Sequence, residues 1–219
     1  TDTAVVVSGS TDSDIPLTLS SAGGTVTLTE DLVLINLQGK NYTPALELGG
    51  ASNRAVTVNG SGTLTAIGAA NKDYSYGIVG LYRGGFSVNG AKVIAIGGTA
   101  SNKSYGIGYS VNVNVSSGSV VAIGGSASGS SYGISATTTV NGGTLNAIGG
   151  KASTNSYGIN GRTTANGGTL NAIGGVAADT SYGIYCESIL GVSVANEAKV
   201  AAVGRTYGLR TASGTLAGG

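Results

Sequence analysis

Short apolar segments recur along this chain, separated by glycine, asparagine and serine. One stretch reads TNSYGINGRTTANGGTLNAIGG and is followed at once by VAADTSYGI. Apolar and polar residues alternate inside each segment, which is typical of a half-buried β-strand. No segment has helical spacing of apolar residues, and glycine interrupts every candidate helix. The pattern predicts an all-β chain.

The apolar segments repeat in register about every 25 to 30 residues. Aligning on Ala-Ile-Gly gives one column: Ala66, Ala95, Ala122, Ala147, Ala172 and Ala202. Aligning on SYGI gives another: Tyr76, Tyr105, Tyr132, Tyr157, Tyr182 and Tyr207. A third segment, of the type V-N-G, precedes each Ala-Ile segment. Each repeat therefore predicts three short strands.

A right-handed parallel β-helix with three short strands per coil is the architecture that fits this repeat. Leucine-rich repeats have a similar period, but their L-x-x-L-x-L-x-x-N frame is absent, and the period is not that of a hexapeptide helix. We interpret residues 1–50 as N-terminal capping coils and residues 51–219 as one continuous domain of repeat coils. ASGTLAGG at the end resembles the start of a further coil, so the natural chain is expected to continue.

Two columns of side chains are interpreted as structural ladders. Tyrosine and isoleucine in SYGI lie two residues apart, so we expect the Tyr rings to stack beside the Ile column in the interior. An exposed Tyr strip that binds sugars is the alternative. The second column is expected to occupy a left-handed bend before glycine and to hydrogen-bond from coil to coil; it comprises Asn59, Asn89, Asn141, Asn166 and Asn196.

Composition narrows the class of protein. Of 219 residues, 40 are Gly and 41% are hydrophobic, which indicates a folded chain rather than a disordered one. A net charge of +1 without a basic stripe argues against nucleic acid as a partner. No apolar run approaches the roughly 20 residues of a membrane span, so we expect no membrane insertion of this segment. No signal peptide is visible, and the lone Cys186 is interpreted as a small buried side chain.

The residues for catalysis are mostly missing, and we expect no enzymatic activity. The acidic residues in the coils have no evident partners; they are Asp73, Asp179, Glu187 and Glu197. A glycosidase needs two paired carboxylates. The absence of histidine excludes serine triads and imidazole metal sites. No cofactor or metal is expected. Calcium is not indicated, although scattered backbone carbonyls could supply ligands.

Binding remains open, because the interval between SYGI and the next Ala-Ile segment varies. The extra residues fall at one corner, at 79–87, 108–113 and 185–192, and insertions in solenoids often form the binding face. They carry Tyr82, Arg83, Tyr109, Tyr185 and Glu187, which we select as candidate ligand-binding residues. A tyrosine face can stack on a sugar while polar neighbours orient it. The alternative is that these rings only cover the corner.

The motifs NGGTLNAIGG and SYGI resemble the GGTVTATGG and AGIGGG repeats of bacterial cell-surface right-handed β-helix proteins. The resemblance covers about residues 43 to 210. It implies a secreted or cell-surface location, and some relatives are labelled carbohydrate-binding domain proteins. The expected function is weak glycan or host-ligand binding, or adhesion, without catalysis. A purely structural stalk of a larger surface protein is the alternative, and a polysaccharide lyase-like enzyme comes third.

Overall fold

Parallel β-strands form all the regular structure of the described residues. The computed structural model describes residues 17–19, 24–37, 42–49, 55–70, 73–80, 84–188, 191–212 and 214–216. Strand pairs in these ranges run parallel and join each repeat to the next, as between Ala122 and Ala147 or between Tyr132 and Tyr157. The all-β prediction is confirmed.

The strands follow the apolar segments of the sequence. The first half of the chain contains β1 (Leu17–Leu19), β2 (Gly24–Leu28), β3 (Leu32–Ile35), β4 (Pro44–Leu48), β5 (Ala55–Gly60), β6 (Thr63–Ile67), β7 (Tyr74–Gly80), β8 (Gly85–Asn89), β9 (Lys92–Ile96) and β10 (Lys103–Val115). The second half contains β11 (Ser119–Ile123), β12 (Ser130–Val140), β13 (Thr144–Ile148), β14 (Asn155–Asn160), β15 (Thr163–Ala165), β16 (Thr169–Ile173), β17 (Thr180–Cys186), β18 (Val192–Val194), β19 (Lys199–Val203), β20 (Tyr207–Thr211) and β21 (Gly214–Leu216).

Three walls enclose the interior. The Ala-Ile sheet is seven-stranded, in the order β3-β6-β9-β11-β13-β16-β19. The SYGI wall stacks β1, β4, β7, β10, β12, β14, β17 and β20, and the Val-Asn wall stacks β2, β5, β8, β15, β18 and β21 together with the second halves of β10 and β12. The chain is a right-handed parallel β-helix of about six turns, as the repeat predicts.

One insertion at the variable corner, residues 108–113, is built into a strand. β10 and β12 each run through both the SYGI and the Val-Asn walls, and the ladder between them shifts register between Gly108 and Asn112. The extra residues at 108–113 are therefore a bulge in a continuous strand. Such a bulge re-aims side chains locally while the ladder continues on either side.

The main core is formed by inward-facing columns from all three walls. Strand alternation places Leu145 and Ala147 of the Ala-Ile sheet inside, and both are fully buried. Ile134 from the SYGI wall and Val140 from the Val-Asn wall meet them in the same cluster. The same four positions recur in the neighbouring coils, so the core is continuous along the axis.

The tyrosines of SYGI lie outside this core, and the expected shared interior with the Ile column is wrong. Tyr76, Tyr105, Tyr132, Tyr157 and Tyr182 form a second buried cluster with Val79. The reason is the glycine between them, which the ladder passes over when it pairs Tyr105 with Tyr132 and Ile107 with Ile134. A β-carbon on Gly106 would point at the backbone of the Ala-Ile sheet, 2.6 Å from the Ile123 nitrogen. Tyr105 and Ile107 nevertheless pack in different clusters, so strand alternation does not hold across this glycine.

The N-terminal strands continue the same columns. β2 pairs with β5, β3 with β6, and β4 with β7, all in parallel. The interpretation of residues 1–50 as capping coils stays a prediction, since residues 1–16 lie outside the described ranges.

Candidate functional site

The six tyrosines of the SYGI column stack as a continuous ladder of rings. Successive centroids lie 4.9, 4.7, 4.9, 5.2 and 5.5 Å apart from Tyr76 to Tyr207, and adjacent planes are within 11° of parallel. The first five rings are buried, whereas Tyr207 at the end is 47% exposed. Burial raises the pKa of Tyr76, Tyr105, Tyr132 and Tyr157, because a tyrosinate would lose its hydration there.

Tyr109 covers the N-terminal part of the ladder. Its ring meets those of Tyr76 and Tyr105 edge-on, at 6.0 and 6.5 Å, and the side chain is 50% exposed. Its φ of 58° is in the left-handed region, which a bulky residue rarely adopts. Tyr42 has the same feature, with φ 63°, and stacks on Tyr74 at 4.8 Å. Tyr82 and Arg83 belong to the same predicted corner but lie outside the described residues.

Tyr185 covers the C-terminal part of the ladder and lines a pocket. Its ring is tilted over Tyr157 and Tyr182, with centroids 5.5 and 4.9 Å away. The Tyr185 hydroxyl donates a hydrogen bond to Glu187 Oε1. Tyr185 lies in β17, and Glu187 follows directly after the strand ends at Cys186. The pocket is about 250 Å³ in volume and is lined by Tyr185, Cys186, Glu187, Arg210, Thr211 and Ala212.

Arg210 supplies the positive charge of this pocket. Its guanidinium carbon lies 5.6 Å from the ring centroid of Tyr185 and 5.9 Å from that of Tyr207, within the range of a cation–π contact. Arg210 Nη1 also donates a hydrogen bond of 3.1 Å to the Tyr182 hydroxyl. These contacts engage one of the five N–H donors of the guanidinium, so others are left for a ligand.

The hydrogen bonds also raise the pKa of two groups in the pocket. The bond to Glu187 raises the pKa of the Tyr185 hydroxyl above its ordinary value. The bond to Tyr182 raises the pKa of the Arg210 guanidinium. Both groups keep their protons at neutral pH, so the pocket presents a neutral aromatic face, a cation and the Glu187 side chain. Cys186 is buried and its sulfur lies 3.7 Å from the Gly191 carbonyl oxygen, on the inner side of the wall.

The structure brings together some of the residues selected from the sequence and separates others. Tyr185 and Glu187 share one pocket. Tyr109 lies beside Tyr105, and two ladder steps of 4.7 and 4.9 Å lie between Tyr105 and Tyr157. Sequence reasoning missed Arg210, although the ladder pairs it directly with Tyr185. Arg210 lies three residues after Tyr207, just as Tyr185 lies three after Tyr182, and this shared spacing was the available signal.

The asparagine column is a partial ladder at the bend after the Val-Asn wall. Asn166 Nδ2 donates to Asn141 Oδ1 at 2.8 Å, and Asn141 Nδ2 donates to Asn114 Oδ1 at 2.9 Å. Asn89 Oδ1 instead accepts from the Ser117 hydroxyl at 2.8 Å. Asn196 is exposed. Within the described part of the chain, the buried Oδ1 of Asn59 has no hydrogen-bond partner.

At the bend, the left-handed residue is a glycine and not the asparagine that the sequence predicts. Glycine takes this conformation after the asparagine, as at Gly143 with φ 68°, because glycine adopts it without a steric penalty. On the outer face of the Ala-Ile sheet, Asn171 Nδ2 donates to Asn146 Oδ1 at 2.8 Å. The TLNAI repeat of the sequence contains both residues.

The described residues contain no cluster of three or more Cys, Asp or Glu side chains that could hold a metal ion. They also contain no helix that is long and apolar enough to cross a membrane. No protein-family model, curated protein or solved structure matches this chain.

Proposed function

We propose that this protein is a non-catalytic binding module whose Tyr185 pocket holds one sugar unit of a polysaccharide or host-surface glycan. The observation that carries the proposal is the convergence of Tyr185, Glu187 and Arg210 in one pocket of about 250 Å³. A sugar presents an apolar C–H face and a rim of hydroxyls. The Tyr185 ring would accept the first, while Arg210 donates to and Glu187 accepts from the second.

The size and openness of the pocket favour weak binding of a single unit. Pockets that enclose small ligands tightly are usually larger, at about 300 to 1,000 Å³. Useful affinity would come from many copies displayed on one surface. The resemblance to bacterial cell-surface β-helix proteins favours display outside the cell, as a secreted or surface-attached module.

The test is a glycan-array screen followed by titration calorimetry on any hit, with and without calcium. Tyr185→Ala and Arg210→Ala should each weaken binding by about tenfold or more, which corresponds to about 1.4 kcal/mol. Matched controls are Tyr42→Ala, an exposed tyrosine outside the pocket, and Arg205→Ala, an exposed arginine in the same final coil. Tyr109→Ala tests the aromatic cover at the other end of the ladder.

A structural stalk is the second candidate, and the uninterrupted tyrosine ladder favours it. Five stacked ring pairs over six coils stiffen the corner of the helix without any ligand. If the parent protein binds none of the plant, bacterial and mucin glycans, the result would support the stalk and reject the sugar site. Loss of binding in Tyr109→Ala but not in Tyr185→Ala would show that the sugar site lies at the N-terminal part of the tyrosine ladder, beside Tyr109.

A further inference from the structure

The outer face of the Ala-Ile sheet carries an apolar ladder that the proposed sugar site does not use. Its seven strands pair in register so that β-branched residues stack at one position: Ile35, Ile67, Ile96, Ile123, Ile148, Ile173 and Val203. Strand alternation points these side chains away from the core, since the residue before each faces inward; it is Leu34 in β3 and an alanine in the other six strands. Ile35, Ile173 and Val203 are 46%, 39% and 56% exposed, and the four between them are half-buried by their ladder neighbours.

The rest of this outer face is nearly free of charge. Two positions before the ladder, the outward residues are Val33, Thr65, Ile94, Val121, Asn146, Asn171 and Ala201. Four positions before it the outward residues are Thr63, Lys92, Ser119, Thr144, Thr169 and Lys199. The corresponding position before β3 is Asp31, which is exposed and whose Oδ1 accepts a 2.7 Å hydrogen bond from the Thr63 amide. Only Asp31, Lys92 and Lys199 are charged among these positions. A contiguous apolar strip on a flat, weakly charged face is typical of an interaction surface.

We propose that this face binds the same face of a second copy of the chain, with the two solenoid axes antiparallel. The area supports this partner. Seven strands at about 4.8 Å and five residues at about 3.3 Å give a footprint of roughly 550 Å² per copy, or about 1,100 Å² in total. This is at the lower end of specific interfaces, so the dimer should dissociate on dilution.

The charges select the antiparallel arrangement. A two-fold axis parallel to the strands sets β3 of one copy opposite β19 of the other, and β11 opposite itself. The Ile ladders then face each other, and Asp31, at one end of its column, lies opposite Lys199 at the other end. Symmetry creates this pair twice. A two-fold along the solenoid axis would instead place the Ile ladder against the polar column and leave both charges without an opposite partner.

The first measurement is the mass of the purified chain across a concentration series, by light scattering and by sedimentation equilibrium. The expected mass rises from 21.2 kDa toward twice that value. Ile123 lies on the proposed two-fold axis, so Ile123→Lys places two ammonium groups face to face and should weaken association at least about tenfold. Thr139→Lys, on the outer face of the Val-Asn wall, adds the same charge elsewhere and should leave association unchanged.

Crosslinking tests the register independently of stability. Opposed sheets lie about 10 Å apart, which is too far for a direct disulfide, so a short bis-maleimide is used. Ile123→Cys should crosslink to itself. Ile35→Cys should not, because its two copies lie at opposite ends, but it should crosslink to Val203→Cys in a mixture. The parent protein controls for the buried Cys186.

A charge swap tests the Asp31–Lys199 pairing. Lys199→Asp should weaken association, and the double variant Asp31→Lys with Lys199→Asp should restore it. A parent chain that stays monomeric at every concentration overturns the proposal. A dimer that survives Ile123→Lys would show that the interface is not the outer face of the Ala-Ile sheet. An Ile35→Cys chain that crosslinks to itself would show that the two axes are not antiparallel.

Discussion

The hydroxyl of Ser131 donates a hydrogen bond to the Gly125 carbonyl oxygen, 2.7 Å away and six residues earlier in the chain. The hydroxyl oxygen of Ser131 in turn accepts a hydrogen bond of 2.9 Å from the Gly150 amide of the next coil. Ser75, Ser104 and Ser156 repeat the first bond in their own coils. The serine of SYGI therefore satisfies the backbone at the tight corner after the Ala-Ile sheet.

Ser131→Ala removes both bonds and leaves the Gly150 amide and the Gly125 carbonyl without this partner. We expect the free energy of unfolding to fall by about 1–3 kcal/mol, the cost of an unsatisfied buried polar group. Urea denaturation of the parent and the variant measures it. Ser128→Ala, an exposed serine in the same coil, is the control. Equal stability of the two variants would show that the corner does not depend on this hydroxyl.

The glycine of SYGI should not tolerate any side chain. A β-carbon on Gly133 would lie 2.5 Å from the Ile148 nitrogen and 2.7 Å from the Gly158 carbonyl oxygen. Both contacts are with backbone, which cannot rotate away, so Gly133→Ala should lower the melting temperature strongly or prevent folding. Gly24→Ala is the matched control, because its β-carbon would meet nothing within 4 Å. Thermal melts followed by circular dichroism measure both variants. A Gly133→Ala variant that melts at the parent temperature would contradict the close packing of Gly133 against the neighbouring backbone.

The ring of Tyr132 should matter far more than its hydroxyl. The ring is buried at the middle of the ladder, 4.7 Å from Tyr105 and 4.9 Å from Tyr157. Tyr132→Ala should cost about 3–5 kcal/mol in unfolding free energy, as for other buried aromatic truncations. Tyr132→Phe keeps the stacked ring and should cost about 1 kcal/mol or less. Chemical denaturation compares them with Tyr42→Ala, and a cost for Tyr132→Ala no larger than that control would contradict a structural ladder.

The fold was predictable from the sequence because, in a solenoid, each residue pairs with the equivalent residue of the next repeat. The spacing of the repeat therefore gives the register of the strands. Ala122 pairs with Ala147 and Tyr132 with Tyr157, as an alignment of the repeats places them. The location of Tyr132 was not predictable from strand alternation alone. Tyr132 and Ile134 lie two residues apart in β12, yet they pack in different clusters, so the alternation rule fails across Gly133.

The candidate site was predictable only in part, for the same reason. The sequence indicates Tyr185 and Glu187 because they fall in an inserted segment of varying length. Arg210 belongs to a different coil, and only the stacking of β17 on β20 brings it beside Tyr185. A site formed by two coils is not visible in the sequence of one coil. It becomes visible when residues are compared by their distance along the chain from the tyrosine column.

Alkaline pH should unfold the protein through the tyrosine ladder. Burial raises the pKa of Tyr76, Tyr105, Tyr132 and Tyr157 in the folded chain, while in the unfolded chain tyrosine ionises near its ordinary value of about 10. Above that value the folded state therefore holds more protons than the unfolded state. Linkage then requires that stability, fully present below about pH 10, is lost as pH rises further.

The measurement is unfolding free energy against pH, with tyrosinate absorbance recorded in the same samples. The loss of stability should steepen above about pH 10, and ladder ionisation should coincide with unfolding. Tyr132→Phe removes one titrating hydroxyl, so its slope should be shallower by up to about 1.4 kcal/mol per pH unit. Stability that stays flat through this range, or a Tyr132→Phe slope equal to that of the parent, would contradict burial of the ladder hydroxyls as the cause.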